Sequence, residues 1–367
     1  MTLINYLSRV HFADGILEDA LHSEIERNRC ARPLVVFHDR YAGGSDFLDR
    51  LISGFPYHSE IALHQISSDR IVETDVKRLN KASVAHKADV VVAFGSTDAI
   101  AVAGWTQTCV ERRAKLKGVN LNTRADKRAP FFFAIPGIEN LPAFGSGVKF
   151  PTDHSPLKAA AYTQPDVIIC DPTLTIGETP ERTASAAVIA LVRCIEAYVS
   201  DAFNPPADGI ALDGLIRTAQ NLHSTVATGN LTGRRELMAA ALNGLLARQK
   251  GGGMVQFLAD ALAHEADGQI DQGAISRLLL PAVLEFQGDV RKHLRYAQLK
   301  PVFSIPLHMS LPEGMKQFLA DLPLAQSLSE LGLGQSDLKR TIRSAQMSWG
   351  TAAINEETLM PLLASTP

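Results

Sequence analysis

Three polar side chains share one face of a segment with helical periodicity: Gln256, Asp260 and His264, at i, i+4 and i+8. An aspartate with a histidine four residues on can bind a metal ion or relay a proton. The acidic residues that follow at once, Glu265, Asp267 and Asp271, offer the plainer alternative of a solvated helix end. Arg193 is the next oddity, a cation inside the apolar-periodic stretch Thr183–Ser200. A guanidinium is costly to bury unless paired, and its planar fork suits a carboxylate or phosphate. Two partners are open to it: Asp260 on a facing helix, which would make the pair structural, or an anionic ligand. The third feature is Gly95-Ser96-Thr97-Asp98, directly after the apolar run Asp89–Phe94. A strand–turn–helix corner can present backbone N–H groups and a helix dipole to a phosphate. Asp98 makes a good N-cap there, but its carboxylate would repel a diphosphate. Asp39 closes another apolar run, Pro33–Phe37. The chain has no G-x-S-x-G, P-loop, H-E-x-x-H or EF-hand loop.

The elements that must hold these residues change character near residue 175. Before it, apolar runs at Pro33–Phe37, Glu60–Ile66, Asp89–Phe94, Phe131–Ile135 and Val167–Ile169 alternate with helical patterns. Continuous apolar runs suit strands buried on both faces, as in parallel βαβ units. After it the periodicity stays helical, with helices expected over Thr183–Ser200, Asp208–Leu222, Arg234–Lys250, Met254–His264, Ile275–Phe286, Gly314–Ala320, Ser327–Leu333 and Ser336–Met347. The fold class is α/β: a doubly wound parallel-sheet, Rossmann-like domain over residues 1–174, then an all-helical domain over residues 175–367.

Bulk properties exclude some functions. A net charge of -3 gives no pull toward nucleic acid or anionic membrane. The basic run from Arg112 to Arg128 reads as a solvated helix end and loop. The four cysteines, Cys30, Cys109, Cys170 and Cys194, have no C-x-x-C spacing and read as buried thiols of a reducing compartment. No signal peptide or membrane span is evident, so a cytoplasmic location is expected.

Several words then carry a resemblance. Pro165–Thr175 contains Asp171-Pro172-Thr173-Leu174-Thr175; Ile195-Glu196-Ala197-Tyr198-Val199-Ser200 ends a helix; Asn204-Pro205, Gly253-Met254-Val255, Gly273 and Leu279-Leu280-Pro281 follow. In these words the chain resembles the iron-containing alcohol dehydrogenase and maleylacetate reductase family, from about Arg32 to Leu333. The resemblance implies an NAD(P)-binding N-terminal domain, a metal-binding helical domain and substrate in a cleft between them.

It also places the family's metal ligands at Ile189, Arg193, Gln256 and Gln272, and a second family histidine at Asp260. An aspartate and histidines are the family's donors, so no metal is expected here. Two readings stand for the replaced set. Arg193 supplies the cation's charge, or the site has filled with polar residues that tolerate each other. In the cofactor loop, side chains at Ser96 and Thr97 stand where glycines let a backbone approach the pyrophosphate, Ala101 and Gly104 stand for a later Asp and Lys, and Gly145-Ser146-Gly147 is a displaced remnant of a second loop. The expectation is a chain without the dehydrogenase chemistry, non-redox or non-catalytic, with no cofactor. The alternative is a metal-independent NAD(P)H reductase of maleylacetate reductase type. Its expected site is Arg193, Gln256, Asp260, His264 and Gln272, with Asp39, Gly95, Ser96, Thr97 and Asp98 at the nucleotide. A small anionic molecule and a homodimer or hetero-oligomer are the expected partners.

Overall fold

Apolar residues run unbroken through the central strands because both faces of the sheet are covered. A computed structural model describes residues 8–38, 46–66, 73–95, 99–104, 106–107, 130–137, 165–265, 270–288, 293–334, 337–342, 362–363 and 366. Six strands form one parallel sheet: β1 (Arg9–Phe12), β2 (Pro33–His38), β3 (Ala62–Ile66), β4 (Val90–Gly95), β5 (Phe131–Pro136) and β6 (Val167–Cys170). Their order is β1-β6-β5-β4-β2-β3, with every pairing parallel. β2, β4 and β6 are buried at every position, so the fold class read from the sequence holds.

The chain steps from β2 outward to β3, then crosses to β4 on the other side of β2 and continues to β5 and β6. The switch in direction lies between β2 and β4, and in such sheets ligands bind beyond the carboxyl ends of the strands at that point. Those ends here are His38 and Gly95.

β1 went unread in the sequence. Its polar residues converge on one buried carboxylate: Arg9 pairs with Glu24, and His11 Nε2 lies 2.9 Å from the same group. Glu24 belongs to α1 (Leu17–Arg27), so the edge strand is tied to the covering helix by charge rather than by apolar alternation. The start of α1 is held from the far end of β6. Asp171 accepts from Gly15 N at 2.8 Å and Leu17 N at 3.2 Å. The same carboxylate takes Thr173 Oγ1 at 2.6 Å and Arg50 Nη2 at 3.2 Å. Arg50 comes from α2 (Asp46–Ser53) and also binds Glu18, at 2.6 and 2.9 Å. That pairing pushes Glu18 below the usual carboxylate range and raises Arg50. α3 (Glu73–His86) completes the labelled helices before Thr175.

One compact unit of the chain ends at Thr175 and the next runs from Ile176. Among its described residues the second unit is helical, with no strand: α4 (Pro180–Val199), α5 (Pro205–Thr228), α6 (Leu231–Ala247), α7 (Met254–Glu265), α8 (Gln272–Phe286), α9 (His293–Leu299) and α10 (Leu311–Phe318). α4 is buried almost all round, as a helix at the centre of a bundle must be. α5 and α6 approach it closely through Gly214, whose absent Cβ would sit 2.6 Å from Cys194 Sγ, and Gly244, where one would sit 3.2 Å from Arg193 Cβ. Cys170 and Cys194 are buried free thiols and Cys30 is buried; Cys109 lies outside the described residues.

Capping sets the helix boundaries that periodicity misplaces. Asn204 is the N-cap of α5. Its side chain accepts from Ala207 N at 3.3 Å, and Pro205 opens α5 three residues before the expected start. The helix expected over Ser327–Leu333 is instead a run of turns, ending at Gly332 with φ 74°. Just before it, Arg277 of α8 donates to Leu319 O at 2.8 Å, Ala320 O at 3.0 Å and Gln326 Oε1 at 2.6 Å. Within the run itself, Leu331 N donates to Leu328 O at 3.2 Å, Gly332 N to Ser329 O at 3.0 Å and Leu333 N to Leu328 O at 3.0 Å, so turns pair its backbone without a helix. Residues 337–342 of the expected last helix are helical; 336 and 343–347 lie outside the described residues. The basic run at 112–128 and Gly145-Ser146-Gly147 lie outside them too.

Candidate active site

The polar face of α4 meets α7 and α8 in one small cluster. Arg193 is 4% exposed. Its stem lies against α6 at Gly244, and its head reaches Gln256 of α7. With the Gln256 carboxamide turned so that its oxygen faces the guanidinium, it accepts from Nε at 3.2 Å and Nη2 at 2.7 Å. Nη1 is buried and has no hydrogen-bond partner among the described residues. One turn further along α7, Asp260 accepts from Gln272 Nε2 at the start of α8. Ile189, one turn before Arg193, is 9% exposed. The structure therefore brings Arg193, Gln256, Asp260 and Gln272 together. Asp260 does not pair with Arg193 directly: the neutral Gln256 amide does, and Asp260 acts through its field.

Arg193 is a buried cation with charges of both signs around it. Burial first, and then the neighbouring charge of Arg248, bring its pKa down to about 9, with Asp260 and Glu196 opposing. The ordinary value is far higher, so the cation is held at an energetic cost yet stays charged at neutral pH.

Glu196 is the residue the sequence reading named only as part of a family word. Its carboxylate caps α7, taking Val255 N at 2.6 Å and Gln256 N at 3.4 Å. Gly253 makes this possible: a Cβ there would sit 2.0 Å from the Glu196 carboxyl carbon. Of the triple glycine Gly251-Gly252-Gly253, position 253 is set by a facing carboxylate and position 251 has a φ of 104° that favours glycine. Burial, aided by Asp260, raises the Glu196 pKa from 4.5 to about 7, against the two amide bonds and Arg193. The folded value lies above the unfolded one. Between about pH 4.5 and 7 the native protein keeps a proton the unfolded chain has lost, so this group makes stability fall as pH rises through that window. Glu196→Gln should flatten the slope, read as the urea midpoint at pH 5 and pH 8 beside wild type. Parallel slopes in the two proteins would sink the assignment.

At the nucleotide corner, Gly95 ends β4 with φ 80°, a conformation that favours glycine. It stands beside the carboxyl end of β2 at the switch point. Asp39, Ser96, Thr97 and Asp98 lie outside the described residues, as does the side chain of His264.

The set at 189, 193, 256 and 272 does not fit a divalent metal. It holds an apolar side chain, a cation that repels one, and two amides engaged with Arg193 and Asp260. Among the described residues no group of three His, Cys, Asp or Glu converges elsewhere. A cavity of about 1000 Å³ lies among α8, α9 and α10, lined by residues such as Arg277, Tyr296 and Lys316, and includes none of this cluster.

A parallel sheet switched beside a glycine turn, followed by a helical unit with a polar cluster on its central helix, defines a Rossmann-like α/β unit joined to an all-helical one. Residues 183–360 match the model of the Fe-containing alcohol dehydrogenase family, C-terminal. A 4-hydroxybutyrate dehydrogenase of Cupriavidus necator is 28% identical over 94% of this chain and 93% of its own length. Sulfoacetaldehyde reductase from Bifidobacterium kashiwanohense, solved in complex with NAD+, shares the fold with a TM-score of 0.81 at 16% identity, covering 100% and 98% of the two chains. Maleylacetate reductase from Agrobacterium tumefaciens does so with a TM-score of 0.76 at 19% identity, covering 100% and 98%. The helical half of the chain thus matches the C-terminal model of the Fe-containing alcohol dehydrogenase family, and the whole chain shares its fold with reductases and dehydrogenases of that kind.

Two expectations are corrected by these relatives. A chain withdrawn from redox chemistry does not agree with an end-to-end relative that is a dehydrogenase by name. The expected absence of a cofactor falls with it, since the fold is shared with a reductase solved with NAD+. The physical reason is that the sequence reading equated the metal donors with the reaction. Hydride transfer needs a nicotinamide and a polarised oxygen, and positive charge other than a metal's can polarise it.

Proposed function

We propose that the chain is a nicotinamide-dependent dehydrogenase that interconverts a short ω-hydroxy carboxylic acid and its aldehyde without a bound metal. The observation that carries the reading is the similarity to 4-hydroxybutyrate dehydrogenase across 94% of the chain. The buried guanidinium of Arg193 supports a substrate with an electron-rich oxygen, and the donor set at 189, 193, 256 and 272 supports metal independence. The backbone at Gly95 and the carboxyl end of β2 at His38 are where a dinucleotide would be held. Bound there, it supplies the hydride. A cytoplasmic, oligomeric enzyme is part of the reading; among the described residues no helix is long and apolar enough to cross a membrane.

The test is the absorbance of the reduced nicotinamide in both directions, with 4-hydroxybutyrate and NAD+ or NADP+, and with 4-oxobutanoate and NADH or NADPH. Turnover should appear with at least one cofactor and exceed that with an unsubstituted alcohol of the same length. No turnover in any pairing, together with no cofactor binding by fluorescence, would overturn the proposal.

A further inference from the structure

Arg193 presents an imbalance that nothing in its surroundings resolves. The group is a cation, 4% exposed, on the central helix of its unit. Gln256 takes up Nε and Nη2, the edge of the guanidinium that a carboxylate would grip with two parallel bonds. What is left is Nη1, buried and without an acceptor among the described residues. A buried donor left unmade is costly, more so when it carries charge. The groups that bear on it are Arg248, which follows α6, Asp260 of α7, and Cys194 and Glu196 of α4 itself. Asp260 is occupied by Gln272, and Glu196 by the amides of α7. No carboxylate lies within ion-pairing distance of Arg193 among the pairs formed by described residues. A single free donor nitrogen, fixed in direction by the amide on its opposite edge, suits one oxygen atom rather than a bidentate anion.

We propose that Nη1 of Arg193 is the group that binds the reacting oxygen of the substrate, so that a guanidinium does at this position the work that the donor set cannot hold a metal ion to do. The inference rests on the nicotinamide-dependent reading above. In the reductive direction a bound reduced nicotinamide would supply a hydride to the carbonyl carbon. The C=O π pair moves onto oxygen, and the resulting alkoxide accepts from Nη1. The alkoxide then takes a proton from solvent water, leaving the alcohol and a hydroxide ion, and the nicotinamide would be left oxidised. Charge develops on the oxygen in the transition state, where a fixed cationic donor in a dry site is worth most. Gln256 is a positioning residue: its oxygen sets the plane of the guanidinium.

The experiment pairs metal content with a variant series. Wild-type protein dialysed against a strong chelator, and verified metal-free by elemental analysis, should keep its turnover. Arg193→Gln should lose about 10²–10³-fold in kcat, with reduced-nicotinamide binding by fluorescence unchanged, and Arg193→Lys should recover part of the loss. Guanidinium ion added at millimolar concentration to Arg193→Ala should restore activity. Several results would overturn the proposal. Turnover abolished by the chelator and restored by iron or zinc would assign the oxygen to a metal, and this arm stands even if every variant unfolds. A folded Arg193→Gln with kcat near wild type would mean that Nη1 holds an ordered water only. If wild type shows no nicotinamide-dependent turnover at all, the functional reading fails and this inference goes with it. If wild type turns over and Arg193→Gln does too, only the inference fails.

Discussion

Asp171→Ala should cost the protein about 3–5 kcal/mol, the range for removing one partner of a buried charge network. Asp171 is fully buried, and each of its oxygens serves more than one donor. Oδ1 takes Gly15 N, Thr173 N at 3.0 Å and Thr173 Oγ1; Oδ2 takes Leu17 N and Arg50 Nη2. Alanine would strand two amides at the start of α1, one in the turn after β6, and the guanidinium of Arg50. The last would keep Glu18 and lose only part of its compensation. Global stability is about 5–15 kcal/mol for a typical domain, so the loss should be visible as a large drop in the denaturant midpoint. Asp171→Asn retains an acceptor for some of the amides but not the charge facing Arg50, and should fall between the two. A loss below about 1 kcal/mol for alanine, within the range of an ordinary surface change, would mean that the cap is dispensable.

Asp171 also shows what the sequence could and could not disclose. It stood out as part of a recurring word, but nothing in Asp-Pro-Thr-Leu-Thr says that the carboxylate reaches back to residues 15 and 17. The central strands were legible because burial on both faces leaves an unbroken apolar run. β1 was not, because Arg9 and His11 are bound by a glutamate from another element. Helices were legible by period and misplaced at their ends, where Asn204 and Asp271 set the boundaries through side-chain caps.

The same limit governs the cluster at Arg193. Helical spacing put Arg193, Gln256 and Asp260 on facing surfaces, yet it could not say which of two residues one turn apart would meet the guanidinium. Gln256 does, and Asp260 meets Gln272. The role of Glu196 needed the facing helix as well. Its signal was present only indirectly, in a glycine at 253 with no conformational reason of its own, since it is not among the positive-φ residues. The functional error had a different origin. Absent metal donors are a statement about one electrophile, and they were read as a statement about the hydride.

Gly273→Ala should damage both stability and the cluster, because the glycine is where α8 touches α4 backbone to backbone. A Cβ at 273 would sit 2.3 Å from Ser185 Oγ, 2.4 Å from Ser185 O and 2.5 Å from Ser185 Cα. Two of these atoms are main chain, and they belong to a helix packed on nearly every side, so they cannot swing away. The start of α8 would have to move instead. Asp271 caps that start, accepting from Gly273 N at 2.7 Å and Ala274 N at 3.0 Å, and accepts Ser185 Oγ at 2.5 Å. Gln272, adjacent to the clash, donates to Asp260. Displacing α8 should therefore loosen the acid that tempers the charge on Arg193, one helix away from the substitution. Overpacking of this kind costs about 1–3 kcal/mol, occasionally more, and a contact against rigid backbone belongs at the upper end. Gly252→Ala is the matching control, since a Cβ there meets nothing within 4 Å. It should be neutral or stabilise by up to about 1 kcal/mol through the unfolded chain. Denaturation midpoints and kcat measured on both variants decide the matter. Equal midpoints for the two alanines would show that α8 can settle elsewhere on α4, and that Gly273 does not fix the site.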